Sequence, residues 1–265
     1  MSAARIIDLS ETVGQLDGER RQDVVAIVEG YTSQKVIELI SKHGIRHVVQ
    51  KDGCDFTAEV ETAKIMIVSP ERFLSDPASV IFGVTGARSL SRFAFETDAT
   101  EKKTHALANF GSFVQSLKGS RAIVDPSMLI ADEFYTNASK CAWPQDAKIF
   151  FGQPTRAGRI ELFALADQSR LLIGCRDTFG LLTTGTLIER LNVCATRGLA
   201  AAIRRDQAGA GIGTFLAFDH CASYYAGVIP GQISIVCASL PLGMNRRDIA
   251  AVRRNIHLIG DGNSE

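Results

Sequence analysis

The sequence predicts an α/β protein, because short apolar runs of strand length alternate with longer segments whose apolar residues recur at helical spacing. Residues 24–53 show this best: the apolar run VVAIVEG is followed by the amphipathic segment SQKVIELISKHG and then by IRHVVQKDG. Short connections between such elements favour a parallel β-α-β unit. Two further runs, RIELFALAD and RLLIGCRD, are joined by a tight connection at residues 167–169, which predicts an antiparallel hairpin.

Composition narrows the class of protein. The chain has 265 residues, 46% of them apolar, so it can bury a substantial core. Lys plus Arg equals Asp plus Glu at 29 each, and nothing in this balance indicates a nucleic acid or an anionic membrane as partner. The six cysteines are scattered without a CxxC pair, which is typical of reduced core thiols. We therefore expect a cytoplasmic protein, without a signal peptide or a membrane span.

The sequence pattern predicts a small N-terminal structural unit at residues 1–90. After a polar lead-in, the β-α-β unit is followed by AEVETAKIMIVSPERFL, which has a helical pattern as far as Pro70. Two strong strands are too few for a complete sheet, so residues 1–90 either pack on the rest of the chain or are an eroded domain. We expect them to act as a docking or dimerisation module. Pro, Gly, Ser and Thr cluster in residues 75–100, and this composition favours a boundary there.

For the rest of the chain, the sequence predicts a second structural unit at residues 91–245 and a partly ordered C-terminal tail at residues 246–265. The second unit begins with a helix near 99–118 and a further helix that starts at Asp125-Pro126, a cap followed by proline at the first helical position. The hairpin and another helix come next. A glycine cluster then leads into an apolar helix, and ISIVCASLPL closes the unit as a strand.

The helix at residues 129–142, LIADEFYTNASKCA, carries an unusual polar pair. Glu133 and Asn137 are four residues apart, so both project from one face. An amide inside a helix is mildly unfavourable. The pair is either a solvated polar face or a pair of side chains directed at a ligand.

Two later stretches could complete a nucleotide site. Asp177 ends an apolar strand just before a glycine turn, where it could accept a hydrogen bond from an exocyclic amine or cap the next helix. In GAGIGTF, the glycines at 209, 211 and 213 precede a helix. Glycine lets a phosphate approach the backbone, and a helix N-terminus offers unpaired N–H groups.

The order of these pieces resembles the nucleotide-binding domain of the GHKL superfamily, which includes gyrases, ninety-kilodalton heat-shock chaperones, sensor histidine kinases and MutL. The likeness covers residues 95–243. The family's N box is E-x-x-x-N followed by Ala, and Glu133, Asn137 and Ala138 match it. The resemblance implies that Asn137 holds the magnesium ion that bridges the phosphates and that Glu133 activates the attacking group.

The glycine-containing motifs of the family are the G1 and G2 boxes. Asp177 matches the G1 aspartate, which binds the adenine amine, and Gly180 stands one place later than the family's first glycine, with Phe179 in its place. The three glycines of the G2 box match Gly209, Gly211 and Gly213. The implied fold is the Bergerat ATP-binding fold, an α+β sandwich with helices on one face of a mixed sheet. The implied cofactors are ATP and Mg²⁺.

The first segment resembles the second half of a receiver domain. Lys51 follows its last strand, in the place where a receiver lysine contacts the phosphorylated aspartate. The phosphoacceptor strand is absent from the sequence pattern, because Asp23 opens a strand rather than closing one. We therefore expect Lys51 to be a surface lysine.

The resemblance implies a bacterial signalling protein, of the kind found in two-component systems and among anti-sigma factors. It would regulate a protein partner through an ATP-binding domain, possible versions being a serine kinase or another GHKL-type ATPase, and it could form a homodimer. The Phe179 departure favours an alternative, a non-enzymatic interaction protein whose ATP site has decayed. A third interpretation is an unrelated α/β enzyme with coincidental glycines.

Overall fold

A computed structural model describes residues 4–9, 21–86, 90–97, 102–142, 158–202 and 212–260. In these ranges the strands are β1 (Arg5–Asp8), β2 (Val24–Val28), β3 (His47–Gln50), β4 (Ser91–Thr97), β5 (Ile160–Ala166), β6 (Arg170–Asp177), β7 (Ser223–Ile229), β8 (Ile233–Pro241) and β9 (Asn255–Ile259). The helices are α1 (Ser33–His43), α2 (Phe56–Val68), α3 (Pro70–Ser75), α4 (Pro77–Gly83), α5 (Lys103–Ser116), α6 (Val124–Ala142), α7 (Thr184–Ala202), α8 (Ile212–His220) and α9 (Arg246–Ala251). The described strands form one mixed sheet in the order β1-β2-β3-β9-β7-β8-β6-β5-β4. The predicted α/β class is confirmed.

The parallel β-α-β unit is also confirmed. Strands β2 and β3 pair in parallel, with α1 between them in the chain. Thr32 caps α1 by accepting a hydrogen bond from the backbone of Lys35 at 3.3 Å. Gly44 ends the helix in the left-handed conformation, with φ of 67°, which glycine adopts at little cost.

The predicted hairpin is present as β5 and β6. The two strands pair antiparallel along their whole length, from Ile160 opposite Asp177 to Ala166 opposite Leu171. At the turn, Asp167 Oδ1 accepts hydrogen bonds from the backbone of Ser169 and Arg170, at 2.7 and 2.8 Å. The aspartate side chain thus stabilises the conformation of the turn, whereas the apolar pattern predicts only its position in the sequence.

The expected tail contains a central strand instead. Strand β9 lies between β3, with which it pairs antiparallel, and β7, with which it pairs in parallel. All five of its residues are buried. The expectation of a partly ordered tail is therefore wrong for residues 246–260. The last strand joins the sheet of residues 1–90 to the sheet of residues 91–245, and their division into separately folding units stays a prediction.

Two other stretches differ from their predicted structure. Residues 75–100, expected to be a loop-like boundary, include the helix α4 and the strand β4. The helix that follows the glycine cluster ends at His220, and the next residues form β7. Strand β7 is rich in aromatic and small side chains and is buried along most of its length, so it lacks the alternation that would have separated it from a buried helix.

Helices cover both faces of the sheet. The larger core lies on the face packed by α1, α5, α6, α7 and α8. A second core holds Met66, Phe73 and Val80 from α2, α3 and α4 against the other face of β5 to β8. The helices α5 to α8 of residues 91–245 thus lie on one face of the sheet, and the helices of residues 56–83 cover the opposite face.

A buried polar cluster fixes α2 to the centre of the sheet. The carboxylate of Glu59 is 2% exposed, and its Oε1 accepts hydrogen bonds from Tyr225 at 2.7 Å and Ser223 at 2.8 Å. His257 Nε2 lies 3.0 Å from Glu59 Oε2. Asn255 donates to Ser223 at 3.0 Å and accepts from the backbone of Gln50 at 2.9 Å. The cluster connects α2, β3, β7 and β9 through hydrogen bonds whose polar atoms would otherwise be costly to bury.

Within the described part of the chain, no helix has both the length and the apolar character needed to cross a membrane.

Candidate functional site

Helix α6 places the Glu133–Asn137 pair at one end of the molecule. Its beginning lies near the start of β6, because Gly243 donates to the Gly119 carbonyl at 3.1 Å and Leu242 donates to the Ser169 carbonyl at 2.7 Å. From 124 to 137 a helix rises about 20 Å, and from 170 to 177 a strand rises about 23 Å. The later parts of the two elements are also close, because Tyr135 lies within electrostatic range of Cys175. Asn137 and Asp177, two residues further along each element, therefore come to the same end of the sheet.

The polar pair is directed at α8. Glu133 Oε1 accepts hydrogen bonds from Asn137 Nδ2 at 2.7 Å and from Thr214 Oγ1 at 3.1 Å. Both Glu133 and Asn137 are half-buried. Thr214 belongs to the first turn of α8. The pair is thus neither solvated nor isolated, because it meets the helix that follows the glycine cluster.

Gly213 allows this approach. A Cβ atom at position 213 would lie 1.7 Å from Glu133 Oε2 and 2.2 Å from its carboxyl carbon. Any side chain at 213 would therefore displace the glutamate. The carboxylate lies against the first turn of α8, where a helix offers unpaired N–H groups and a positive electrostatic potential. The other two glycines of the motif, Gly209 and Gly211, lie outside the described residues.

The amide of Asn137 is oriented by its neighbours. Since Nδ2 donates to Glu133, the oxygen Oδ1 points away from that carboxylate and accepts a 3.4 Å hydrogen bond from Arg190 Nη1 on α7. An amide oxygen is a suitable ligand for Mg²⁺. The bond from Arg190 is long, so the oxygen Oδ1 is the atom of Asn137 best placed to bind a ligand.

Asp177 lies on the same face of the sheet as α6. It follows Cys175 at the two-residue spacing of side chains on one face, and Cys175 belongs to the core that contains Tyr135 of α6. Asp177 Oδ1 accepts hydrogen bonds from the backbone of Phe179 at 2.9 Å and of Gly180 at 3.0 Å. Burial raises the pKa of this carboxyl, while the two amide bonds lower it in part. No hydrogen bond among the described residues joins Asp177 to Glu133 or Asn137.

Gly180 has a packing reason to be glycine. Its φ is +60°, and a Cβ there would lie 2.5 Å from backbone atoms of Gln232 and Ile229 in the turn between β7 and β8. The backbone of Gly231 donates to its carbonyl at 3.0 Å. Phe179 packs its ring over Gly158, where a Cβ would be 1.9 Å from the ring. The departure from the G1 pattern thus places an aromatic ring beside the end of β6.

Sequence reasoning missed two residues of this arrangement. Thr214 directly follows the last glycine of the motif, so its position at the start of a helix was a usable signal. Arg190 carried no signal, since it reaches Asn137 only because α7 packs beside α8. A guanidinium near an amide and a helix N-terminus adds positive charge that favours a phosphate.

Lys51 is exposed, as expected for a surface lysine. Its Nζ lies 2.6 Å from Asp8 Oδ2, and Asp8 ends β1 just as Lys51 follows β3. The acid comes from an edge strand that the sequence pattern did not reveal, two strands away in a parallel arrangement.

In the ranges that the structure describes, no group of three or more His, Cys, Asp or Glu side chains is close enough together to hold a metal ion. An Mg²⁺ ion held by one amide oxygen, phosphate oxygens and waters needs no such cluster, so Asn137 fits that type of site. Comparison of the chain with protein-family models and with curated proteins gave no match in either case.

Proposed function

We propose that this protein binds Mg·ATP at the junction of α6 and α8 and regulates a partner protein in the cytoplasm, as a signalling protein of the GHKL type. The observation that supports this most directly is the contact of Glu133 and Asn137 with Gly213 and Thr214. In the sequence, Glu133 and Asn137 each lie at least 76 positions before Gly213 and Thr214. Their convergence brings the two motifs of the resemblance to one place.

The chain's own residues would divide the work of binding. The first turn of α8 would accept a phosphate through its unpaired N–H groups, and Arg190 would neutralise part of its charge. Asn137 Oδ1 would hold Mg²⁺, which supplies neutralisation of the developing phosphate charge when bound. Asp177 would accept from the exocyclic amine of adenine, using the oxygen that does not bind Phe179 and Gly180.

Glu133 is the proposed general base. Its hydrogen bonds from Asn137 and Thr214 both reach Oε1. Oε2 lies against Gly213 and can take a proton from a hydroxyl group held near the phosphate. With a serine hydroxyl of a protein partner in that place, the reaction is the serine phosphorylation of an anti-sigma kinase. With water in that place, it is ATP hydrolysis.

Titration calorimetry with ATP, with and without Mg²⁺, tests the binding proposal. The intact chain should bind ATP in a magnesium-dependent manner, and Asn137→Ala should abolish that binding, because it removes the metal ligand. Asn109→Ala is the matched control, since Asn109 is an exposed amide on α5 whose side chain, among the described residues, bonds to His105. It should leave binding unchanged.

A flat trace for the intact chain at millimolar nucleotide would remove the enzyme proposal. It would favour the alternative, an interaction protein without nucleotide. The present position of the Glu133 carboxylate against α8 gives that alternative a physical basis, because it occupies the side of the helix that a phosphate would approach.

The Asp8–Lys51 pair favours a second candidate function for residues 1–90, a receiver-like phosphoacceptor. Both groups lie at the carboxyl ends of parallel strands, and their side chains are 46% and 37% exposed. A small acyl phosphate can transfer its phosphoryl group to an exposed carboxylate, with acetate leaving and a new acyl phosphate forming. Lys51 would stabilise the added charge.

Incubation with acetyl phosphate and Mg²⁺, followed by intact mass measurement, checks this second function. One phosphoryl group should be added to the chain, and Asp8→Asn should prevent it. Asp52→Asn is the matched control, since Asp52 is an exposed acid next to Lys51 that pairs with Arg253. Equal labelling of the chain and of Asp8→Asn would refute the assignment.

A further inference from the structure

Among the described residues, strand β4 forms one edge of the sheet. It pairs with β5 on one side through all seven residues, from Ser91 to Thr97. On its other side, none of the hydrogen bonds among described residues reaches the backbone from Arg92 to Glu96. A long edge with unpaired N–H and C=O groups is a template for another strand.

The side chains of β4 separate onto two faces. Phe93 and Phe95 face α5, where the Phe93 ring lies 5.7 Å from that of Phe110. Arg92, Ala94 and Glu96 share the opposite face, and all three are exposed. The sequence around Ala94 is thus nearly symmetric. A phenylalanine lies on each side of the alanine, followed outward by a positive charge at Arg92 and a negative charge at Glu96.

We propose that β4 pairs antiparallel with β4 of a second copy of this chain, around a two-fold axis through Ala94 and perpendicular to the sheet. Arg92 then lies opposite Glu96 of the second copy, and this contact occurs twice. Phe93 lies opposite Phe95 of the second copy, also twice. Opposite charges and aromatic pairs that face each other across antiparallel strands stabilise the pairing.

The symmetry makes this register specific. A two-fold axis perpendicular to a sheet keeps each side chain on its own face, so paired residues must be an even number of positions apart. Arg92 and Glu96 satisfy this condition. The other edge strand, β1, has Arg5 and Asp8, which are an odd number of positions apart and would lie on opposite faces. Strand β4 is also longer, with seven residues against four.

Charges on an edge strand often prevent pairing, but they do so when like charges meet. Here the symmetric arrangement brings opposite charges together. Glu96 already pairs with Arg159 at 2.8 Å, with side chains 55% and 72% exposed, and such surface pairs contribute little and can be shared.

Analytical ultracentrifugation of the intact chain and of charge-reversed variants tests the dimer. Arg92→Glu and Glu96→Arg should each weaken dimerisation about tenfold or more, since each places two like-charge pairs across the axis. The double variant should restore it. Within one chain, residues 92 and 96 are about 13 Å apart along the strand, so restoration reports a contact between copies. Arg247→Glu, an exposed reversal on α9, should have no effect.

A covalent test does not depend on affinity. Across paired antiparallel strands, Cα atoms are about 4.5–5.5 Å apart, which suits a disulfide. Ala94→Cys should therefore cross-link to itself under mild oxidation, and Ser91→Cys, away from the axis, should not. A chain that stays monomeric at high concentration, a double variant that fails to restore dimerisation, or equal cross-linking at 91 and 94 would overturn the proposal.

Discussion

Replacement of Glu59 by alanine should lower the free energy of unfolding by about 3–5 kcal/mol, because each buried polar group that loses its hydrogen-bonding partner costs about 1–3 kcal/mol. The carboxylate is 2% exposed and is the shared hydrogen-bonding partner of Tyr225, Ser223 and His257. Its removal leaves these three groups buried without that partner. Urea denaturation followed by circular dichroism measures the change.

Glu61→Ala is the matched control for this variant. Glu61 lies two residues further along α2, its side chain is 46% exposed, and it pairs with Lys64. Its replacement should change stability by no more than about 0.5 kcal/mol. Equal losses in the two variants would show that the polar cluster does not hold α2 on the sheet.

The same cluster should make stability depend on pH in the acid range. Burial alone would raise the pKa of Glu59, but hydrogen bonds from His257, Tyr225 and Ser223 outweigh burial and hold the pKa below its ordinary value of 4.5. A carboxyl with a depressed pKa stabilises the fold fully above its unfolded value, and this contribution is lost as pH falls through the folded pKa. The urea concentration at the denaturation midpoint of the natural chain should therefore decrease as the pH is lowered below 4.5. In Glu59→Gln this midpoint should depend less on pH in the same range.

Replacement of Glu133 by glutamine should lower the rate of phosphoryl transfer or ATP hydrolysis by about 10²- to 10⁴-fold, the usual contribution of a general base. Glutamine keeps an oxygen that can accept from Asn137 and Thr214, so the arrangement at the start of α8 should survive. Nucleotide affinity should therefore change little. Single-turnover rates and calorimetric binding measured on the same variant separate the two effects.

Asp132→Asn is the control for the loss of charge on this helix. Asp132 is the residue before Glu133, its side chain is 52% exposed, and it pairs with Lys103 on α5. It should keep the rate of the natural chain. A Glu133→Gln variant with an unchanged rate would exclude Glu133 as the base while leaving the binding proposal to be decided by Asn137→Ala.

The fold could be predicted where apolar pattern and local turn chemistry agree. Strands β2, β3, β5, β6 and β8 are apolar runs with clear ends, and α1 has both a cap and a terminal glycine. Strand β9 could not be predicted, because Asn255 and His257 give it a polar appearance in the sequence. They are buried there only because Gln50, Ser223 and Glu59, far away in the chain, supply their hydrogen bonds.

The candidate site also has some features that local sequence predicts and others that only the tertiary structure shows. The spacing of Glu133 and Asn137 places them on one face of a helix by local geometry, whatever that helix packs against. The glycine at 213 was visible as part of a motif, but its contact with the glutamate was not. Arg190 and the pairing of Asp8 with Lys51 had no local signal, since each depends on which elements become neighbours in space.

The sequence by itself determined which segments are helices and strands over most of the chain, and which polar side chains share a helix face, because these follow from periodicity and from caps a few residues away. Only the tertiary structure decided that one sheet contains both β1 and β9, that the acid–amide pair meets α8, and that β4 is an edge strand of the described sheet. Those facts depend on hydrogen bonds and packing between residues distant in the chain, and no local pattern encodes such partners.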